Sequence, residues 1–158
     1  MIGQDNRTVW QDNGRLFLCL EININSGGEM MNRAELEEYI QNTYNVEPDY
    51  PWAKYPEDEV FRHNSNKKWF ALIMNVAREK LGLQGTDSLD IVNFKCEPVL
   101  IGSLINENGF YPAYHMNKTN WITVALDGSA DEEKIEMLLD MSYDATAPRI
   151  CRKNKDFD

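Results

Sequence analysis

The sequence predicts an α+β domain of two layers, in which an antiparallel sheet packs against helices. Segments with the alternating apolar pattern of strands cluster in the middle of the chain and are separated by short turns. Segments with helical periodicity bracket this cluster, an order that is typical of α+β folds. The 158 residues, of which 42% are hydrophobic and 11% aromatic, suffice for one folded domain.

The first helix is predicted to begin after Asn32, because Glu35 stands three residues later and completes a capping box. Three prolines between Val46 and Pro56 prevent this helix from continuing. Its buried face is expected to consist of Leu36, Tyr39, Ile40 and Thr43.

Three strands are predicted next, at Val60–His63, Lys68–Val76 and Ser88–Cys96. Asn64-Ser65-Asn66 has the chemistry of a tight hairpin between the first two. Both faces of the second strand are apolar beyond Phe70, which indicates a central strand. Simple alternation places Lys68, Phe70, Leu72 and Met74 on one face, and Trp69, Ala71, Ile73 and Asn75 on the other.

The remaining elements follow from proline, turn and capping signals. Pro98–Ile105 is predicted as a short helix with proline in its first turn, and Asn120–Leu126 as a strand. Ser129 and Glu132 form a second capping-box pattern before a helix over about Asp131–Tyr143.

We therefore expect a domain over residues 31–146, an N-terminal extension over 1–30 and a polar tail over 147–158. Within the extension, Leu16–Ile24 is predicted as a strand, which Ser26-Gly27-Gly28 ends. The extension is a remnant of a preceding domain, an added edge strand or a translated leader, and the sequence does not choose among them.

Charge and composition restrict the classes of protein. The net charge is −10 with a pI near 4.7, which argues against a generally basic nucleic-acid binder. The first fifteen residues contain no apolar stretch of signal-peptide length, and the apolar run Leu16–Leu20 is far shorter than a membrane span. The three cysteines form no C-x-x-C pair. We expect a cytoplasmic protein without a membrane partner, disulfide framework or zinc site.

No catalytic or cofactor signature is found, so we expect a protein that is not an enzyme and needs no cofactor. Cys96 has no recognisable nucleophile context and is expected to be a buried apolar side chain, and His63 a surface or cross-strand residue. The acidic run 57–59 is expected to be a solvated loop, and 131–133 a helix start. Gly82-Leu83-Gln84-Gly85 is a turn rather than a phosphate-binding loop.

Cations and aromatic residues are interleaved in the middle of the chain. Residues 51–121 have a net charge of zero, whereas the flanks 1–50 and 122–158 carry −6 and −4. Aromatic faces beside cations stack bases and pair with phosphates in nucleic-acid complexes, although core aromatics with long lysine stems give the same pattern. The polar loop between Ala113 and Trp121 suits either contact with phosphate and bases or hydrogen bonding across a hairpin.

Several segments together resemble the MmcQ/YjbR family, over about Met31–Tyr143. This resemblance implies an α+β fold likened to that of frataxin and described as a double wing, and it implies DNA binding. The pattern His-x-Asn-Lys-x-x-Trp maps onto His115, Asn117, Lys118 and Trp121, but Asn120 stands where many relatives carry a second histidine. The most specific segments are Pro51-Trp52, Val60–His63, Asn66–Leu72, Asn93–Pro98, Tyr114–Lys118, and Leu126–Ser129 with Ser142-Tyr143.

Two functions from different classes are therefore expected. The first is a DNA-binding module, and the second is an adaptor that binds a small ligand or a protein partner; the oligomeric state stays open. A continuous strip of cations would favour the first, whereas cations ringed by carboxylates would favour the second. Phosphate contacts are predicted for Arg62, Lys67, Lys68, Lys95 and Lys118, and base contacts for Trp69, His115 and Asn117.

Overall fold

The computed structural model describes residues 30–149 in full and the backbone of residues 9–12 and 15–18. Within 30–149, a five-stranded antiparallel sheet carries three α-helices, which confirms the predicted α+β architecture. The elements are β1 Val9–Asp12, β2 Arg15–Leu18, α1 Arg33–Tyr44, β3 Glu59–Arg62, β4 Trp69–Ala77, β5 Ser88–Lys95, α2 Pro98–Leu104, β6 Phe110–Pro112, β7 Trp121–Ala125 and α3 Glu132–Thr146. The order of strands in the five-stranded sheet is β3-β4-β5-β7-β6.

The helix starts show which capping signals the chain uses. The Asn32 side chain accepts a hydrogen bond from the Glu35 backbone N–H, and the Glu35 carboxylate accepts one from the Asn32 backbone N–H, as predicted. The second predicted capping box is wrong. Asp131 caps α3 by accepting from the Glu133 backbone, whereas Ser129 bonds to Asp127 in the preceding turn.

The three helices bury their apolar sides against one face of the sheet, here called the helix face. Leu36 and Ile40 of α1 are fully buried there, as the periodicity predicts. Strand residues in register contribute the opposite side of this core, including Ile73, Val92 and Val124. Burial of this contiguous apolar surface is the main stabilising contribution of the fold.

A β-bulge in β4 overturns the predicted alternation of that strand. Phe61 pairs with Ala71 and Arg62 pairs with Trp69, so Phe70 is one extra residue opposite β3. The bulge places Phe70 in the helix-face core beside Ala71 and Ile73. Trp69 consequently shares the other face with Leu72 and Met74. The expected interior position of β4, between β3 and β5, is confirmed.

Strands β1 and β2 form a two-stranded antiparallel sheet, which pairs Val9 with Leu18 and Asp12 with Arg15. Its second strand overlaps the predicted strand Leu16–Ile24 as far as Leu18. The rest of that prediction, residues 19–24, lies outside the described residues, as does residue 150 and the tail beyond it.

Candidate functional site

The second face of the sheet, here called the open face, is covered by loops, and none of the three α-helices of residues 30–149 packs on it. A smaller apolar cluster lies there, separate from the helix-face core. Its buried members are Val76, Leu89, Ile91 and Ala125, and Met74, Leu81, Leu83, Tyr111 and Tyr114 pack against them.

A cavity of about 470 Å³ opens on this face, here called the open-face cavity. Strand β4 forms its floor, and the segments 52–58 and 114–116 form its walls. This volume is within the ~300–1,000 Å³ range of small-molecule sites. The lining residues are Trp52, Tyr55, Asp58, Trp69, Leu72, Met74, Asn75, Val76, Ala77, Lys80, Tyr114, His115 and Met116.

Aromatic rings dominate the cavity wall. The rings of Trp52 and Trp69 are nearly perpendicular, at 83°, with centroids 5.6 Å apart. Those of Tyr114 and His115 are 4.2 Å apart at 71°. The Arg62 guanidinium stacks on Trp69, with its Cζ atom 5.2 Å from the ring centroid. The wall therefore offers both faces and edges of aromatic rings to a ligand.

Asp58 is the buried charged side chain of this cavity. Its exposed fraction is 7%, and none of the hydrogen bonds formed within residues 30–149 reaches its carboxylate. Burial raises the pKa of this carboxyl above its ordinary value of 3.8, while the charges of Arg33 and His115 act in the opposite direction. The sequence-based expectation of a solvated loop over 57–59 is wrong for Asp58 and Glu59, which are both buried.

Glu59 is buried for a different reason. Its carboxylate points to the helix face and forms an ion pair with Arg33 of α1. Arg33 also pairs with Glu37 at 2.9 Å and with Asp90 at 3.3 Å. The Arg33 guanidinium thus ties α1 to strands β3 and β5 and is fully engaged with carboxylates other than Asp58.

A buried polar pair holds the 113–118 loop over the cavity. Asn93 on β5 and Thr123 on β7 are fully buried on the open face, and the Thr123 hydroxyl donates to the Asn93 side chain. The Tyr114 backbone N–H donates to Thr123 Oγ1 at 2.8 Å, and Asn93 Nδ2 donates to the Tyr114 carbonyl at 3.3 Å. The next residue, His115, adopts a left-handed backbone conformation with φ of 56°, which is uncommon outside glycine and frequent at binding sites.

The predicted phosphate-binding cations lie at one end of the sheet, but carboxylates accompany them. Arg62 Nε is 2.9 Å from Asp49 Oδ2. Lys67 shares a surface depression with Arg62, Asp49 and Glu47. Within the described ranges, therefore, Arg62 is paired with an acid and Lys67 lines a depression that also contains acids, so the two do not form a bare positive strip.

The remaining predicted cations are distributed along the same end. Lys68 and Lys118 are exposed, in the hairpin and in the 113–118 loop respectively. Lys95 at the end of β5 pairs with Trp121 of β7. It lines a separate depression of about 610 Å³ together with Glu97 and Asp144. Lys95 therefore also has acids as neighbours.

The fold brings two of the three predicted base-contacting residues together and leaves the third outside the cavity. Trp69 and His115 line the open-face cavity. Asn117 lies in the loop, where its Oδ1 accepts from the Thr119 backbone at 2.9 Å and stabilises a turn. Asp58, Asn93 and Thr123 were not among the residues that the sequence patterns predicted for a site. The signal that marks Asn93 and Thr123 is a polar residue between apolar neighbours inside a strand.

The other sequence-based candidates are structural. His63 is 3% exposed, so the surface alternative is wrong, whereas its backbone bonds across the hairpin to Lys67 and Lys68 fit the cross-strand alternative. Its Nε2 lies 2.7 Å from the Tyr143 carbonyl and 3.0 Å from Thr146 Oγ1, which fastens the end of α3 to the hairpin. Cys96 is buried, as expected, and burial raises its thiol pKa.

Neither a metal-binding cluster nor a membrane-spanning helix is found among the described residues. Residues 30–149 contain no group of three or more metal-ligating side chains placed to hold an ion. None of the helices described is both long enough and apolar enough to cross a bilayer.

Solved structures place this fold among known ones. A crystal structure of a Pseudomonas syringae protein matches with a TM-score of 0.73 and 44% identity, over 74% of this chain and all of that chain. A solution NMR structure from the same organism matches with a TM-score of 0.69 and 42% identity, over 80% and 100%. Deinococcus radiodurans protein DR2400, at 24% identity and a TM-score of 0.54 over 72% and 77%, is similar in fold.

Sequence comparisons agree with the structural ones. The chain is 43% identical to the uncharacterised protein YyaQ of Bacillus subtilis (strain 168) over 117 residues, which are 74% of this chain and 99% of YyaQ. The YjbR family model matches residues 41–145, which include strands β3 to β7 and most of α3. On these matches, together with the shared fold, the chain belongs to the YjbR family.

Proposed function

We propose that the protein binds a small molecule that carries an apolar ring in the open-face cavity. The observation that carries this proposal is an aromatic-lined cavity of about 470 Å³ on the face of the sheet that the α-helices of residues 30–149 leave uncovered. Mostly apolar walls with a few converging polar groups are the usual composition of small-molecule sites.

The cavity wall combines rigid and adaptable parts. Trp69 is fixed in a strand, between the Arg62 guanidinium and Trp52, so its ring is held in place without a ligand. Met74 and Met116 are unbranched and adjust to the shape of a bound ring. An ordered aromatic wall lowers the entropy cost of binding. The loop that carries His115 is likewise fastened beforehand by Asn93 and Thr123.

DNA binding stays a separate prediction, which the family resemblance motivates. Its support in the described residues is the grouping of Arg62, Lys67, Lys68 and Lys95 at one end of the sheet. The acids beside Arg62, Lys67 and Lys95 weaken that support, as does the net charge of −10. The cavity is therefore the better-supported site.

Titration with indole, a neutral fused-ring probe, tests the proposed function by two-dimensional NMR. We expect saturable shifts of the Trp52 and Trp69 indole N–H signals and of the Met74 and Met116 methyl signals. Trp52→Ala removes a cavity wall and should weaken indole binding by about tenfold, because a buried aromatic contact contributes about 1–2 kcal/mol.

Tyr50→Ala is the matched control for this experiment. Tyr50 is an aromatic residue of the same segment, is 51% exposed and does not line the cavity. Its truncation should leave indole affinity unchanged. Absence of saturable shifts in the wild-type protein, or full retention of them in Trp52→Ala, would contradict the proposed function.

A further inference from the structure

Asp58 is a buried carboxylate that faces an aromatic cavity without a hydrogen-bond donor from residues 30–149. We propose that the ligand of the open-face cavity is an organic cation, whose protonated nitrogen donates a hydrogen bond to the Asp58 carboxylate while its apolar part packs against the aromatic wall. This inference rests on the proposed function and specifies the chemical class of its ligand.

The Asp58 carboxylate receives no hydrogen bond from residues 30–149 and opens to the cavity, since neither of its oxygens is a fully buried atom without a partner. A carboxylate in a largely apolar environment is normally paired or hydrogen-bonded, because leaving it without a donor is costly. Arg33 acts on Asp58 electrostatically, but its guanidinium is engaged with Glu37, Glu59 and Asp90. His115 lies on the cavity wall and affects Asp58 electrostatically without a hydrogen bond to it. A donor from a ligand would satisfy the Asp58 oxygens.

The aromatic wall of the cavity favours positive charge. Ring faces attract cations, and tryptophan does so most strongly. Two rings of this wall already have a cation from the protein nearby: Arg62 lies 5.2 Å from the Trp69 centroid, and Lys54 Nζ lies 5.3 Å from that of Tyr55. The Arg62 charge is offset by Asp49. The net charge of −10 adds a long-range attraction for cations.

Lys80 is the one lysine that lines the cavity. It lies with Val76 and Ala77 at the far end of β4 from Trp69, and its Nζ is 3.9 Å from Glu79. Its charge is thus partly compensated and is separated along the strand from the Trp69 wall. Asp58 and the indole rings remain the groups that select the charge of the ligand.

Three probes of similar shape and different charge test this inference: tryptamine is a cation, tryptophol is neutral and indole-3-propionate is an anion. We expect tryptamine to bind about tenfold more tightly than tryptophol, and indole-3-propionate to bind most weakly, because hydrogen bonds between charged groups are roughly twice as strong as neutral ones. Affinities are measured by calorimetry at about pH 7.

Asp58→Asn should weaken tryptamine binding by about tenfold or more and change tryptophol binding by less than about twofold. Glu57→Gln is the charge-matched control, because Glu57 is the exposed neighbour outside the cavity, and it should change neither affinity. Asp58→Glu keeps the negative charge and should keep the preference for tryptamine, which provides a second variant if Asp58→Asn does not fold.

The outcomes separate the two proposals. Tryptophol or indole-3-propionate binding as tightly as tryptamine, with the Trp52 and Trp69 signals still shifting, overturns the cation assignment and leaves the proposed function standing. An equal loss of tryptamine binding in Glu57→Gln and Asp58→Asn also overturns it, since the effect would then come from total charge. Absence of binding by all three probes overturns both proposals.

Discussion

At the Asp58 carboxyl, the requirements of folding and binding oppose each other. Burial disfavours the charged form and raises its pKa, and no hydrogen bond within residues 30–149 compensates. Glu59, the neighbouring buried carboxylate, has an ion-pair partner in Arg33, although its Oε2 atom is buried without a hydrogen bond within residues 30–149. Functional sites commonly keep such groups at a cost in stability.

We expect Asp58→Asn to stabilise the ligand-free protein by about 0.5–1 kcal/mol at about pH 7, because it removes a buried, unpaired charge. Urea unfolding at equilibrium measures the change. Glu57→Gln, at the exposed neighbouring position, should change the free energy of unfolding by less than about 0.5 kcal/mol. A clear loss of stability in Asp58→Asn would show that the carboxylate supports the fold.

The difference between Asp58→Asn and wild type should depend on pH. The Asp58 pKa is raised in the folded protein, so the folded state binds this proton more tightly than the unfolded state. Wild type therefore gains stability relative to the variant as the pH falls through the raised pKa. The advantage of Asp58→Asn should shrink below that pH and be smallest below the ordinary value of 3.8. Urea unfolding at several pH values checks this, and a difference that grows on acidification contradicts it.

At the level of elements, the site depends on a buried polar pair on two neighbouring strands. Asn93 on β5 and Thr123 on β7 pair with each other across the sheet and bond to both backbone groups of Tyr114. Two central strands thereby hold a loop in one conformation over the cavity. Regular strands position such side chains more accurately than loops do.

We expect Thr123→Val to destabilise the protein by about 1–3 kcal/mol, because it leaves the Tyr114 N–H and the buried Asn93 Oδ1 without the Thr123 hydroxyl as partner. It should also release the 113–118 loop and weaken indole binding. Thr123→Ser keeps the hydroxyl and serves as the control, with binding close to wild type. Chemical denaturation and the indole titration measure both effects, and unchanged loop signals in Thr123→Val would contradict the role of this pair.

For the whole molecule, the charge distribution bears on nucleic-acid binding. Three of the cations at one end of the sheet line depressions that also contain acids: Arg62 and Lys67 with Glu47 and Asp49, and Lys95 with Glu97 and Asp144. Phosphate contact requires cations that release the counterions of the nucleic acid, and acids beside them reduce that release. The overall charge of −10 further opposes the approach of a polyanion.

We expect a short labelled DNA duplex to bind with a Kd weaker than about 100 μM at ~50 mM salt. This affinity would be below the usual range of non-specific DNA binding, in which Kd values are roughly 1–100 μM. Fluorescence anisotropy at ~50 and ~200 mM salt measures it. Tight binding with a steep salt dependence, abolished by Lys67→Glu with Lys68→Glu, would contradict this expectation and establish the nucleic-acid function that the family resemblance implies.

The sequence alone determined the class of fold, most element positions and the start of α1, because these follow from periodicity and capping between neighbouring residues. It did not show the bulge at Phe70 or the burial of Asp58 and His63. Those depend on pairing between residues distant in the chain, such as β3 with β4 and His63 with the end of α3. The cavity itself was decided by the tertiary structure, because three helices on one face leave the other to loops, and local patterns do not specify which face a loop covers.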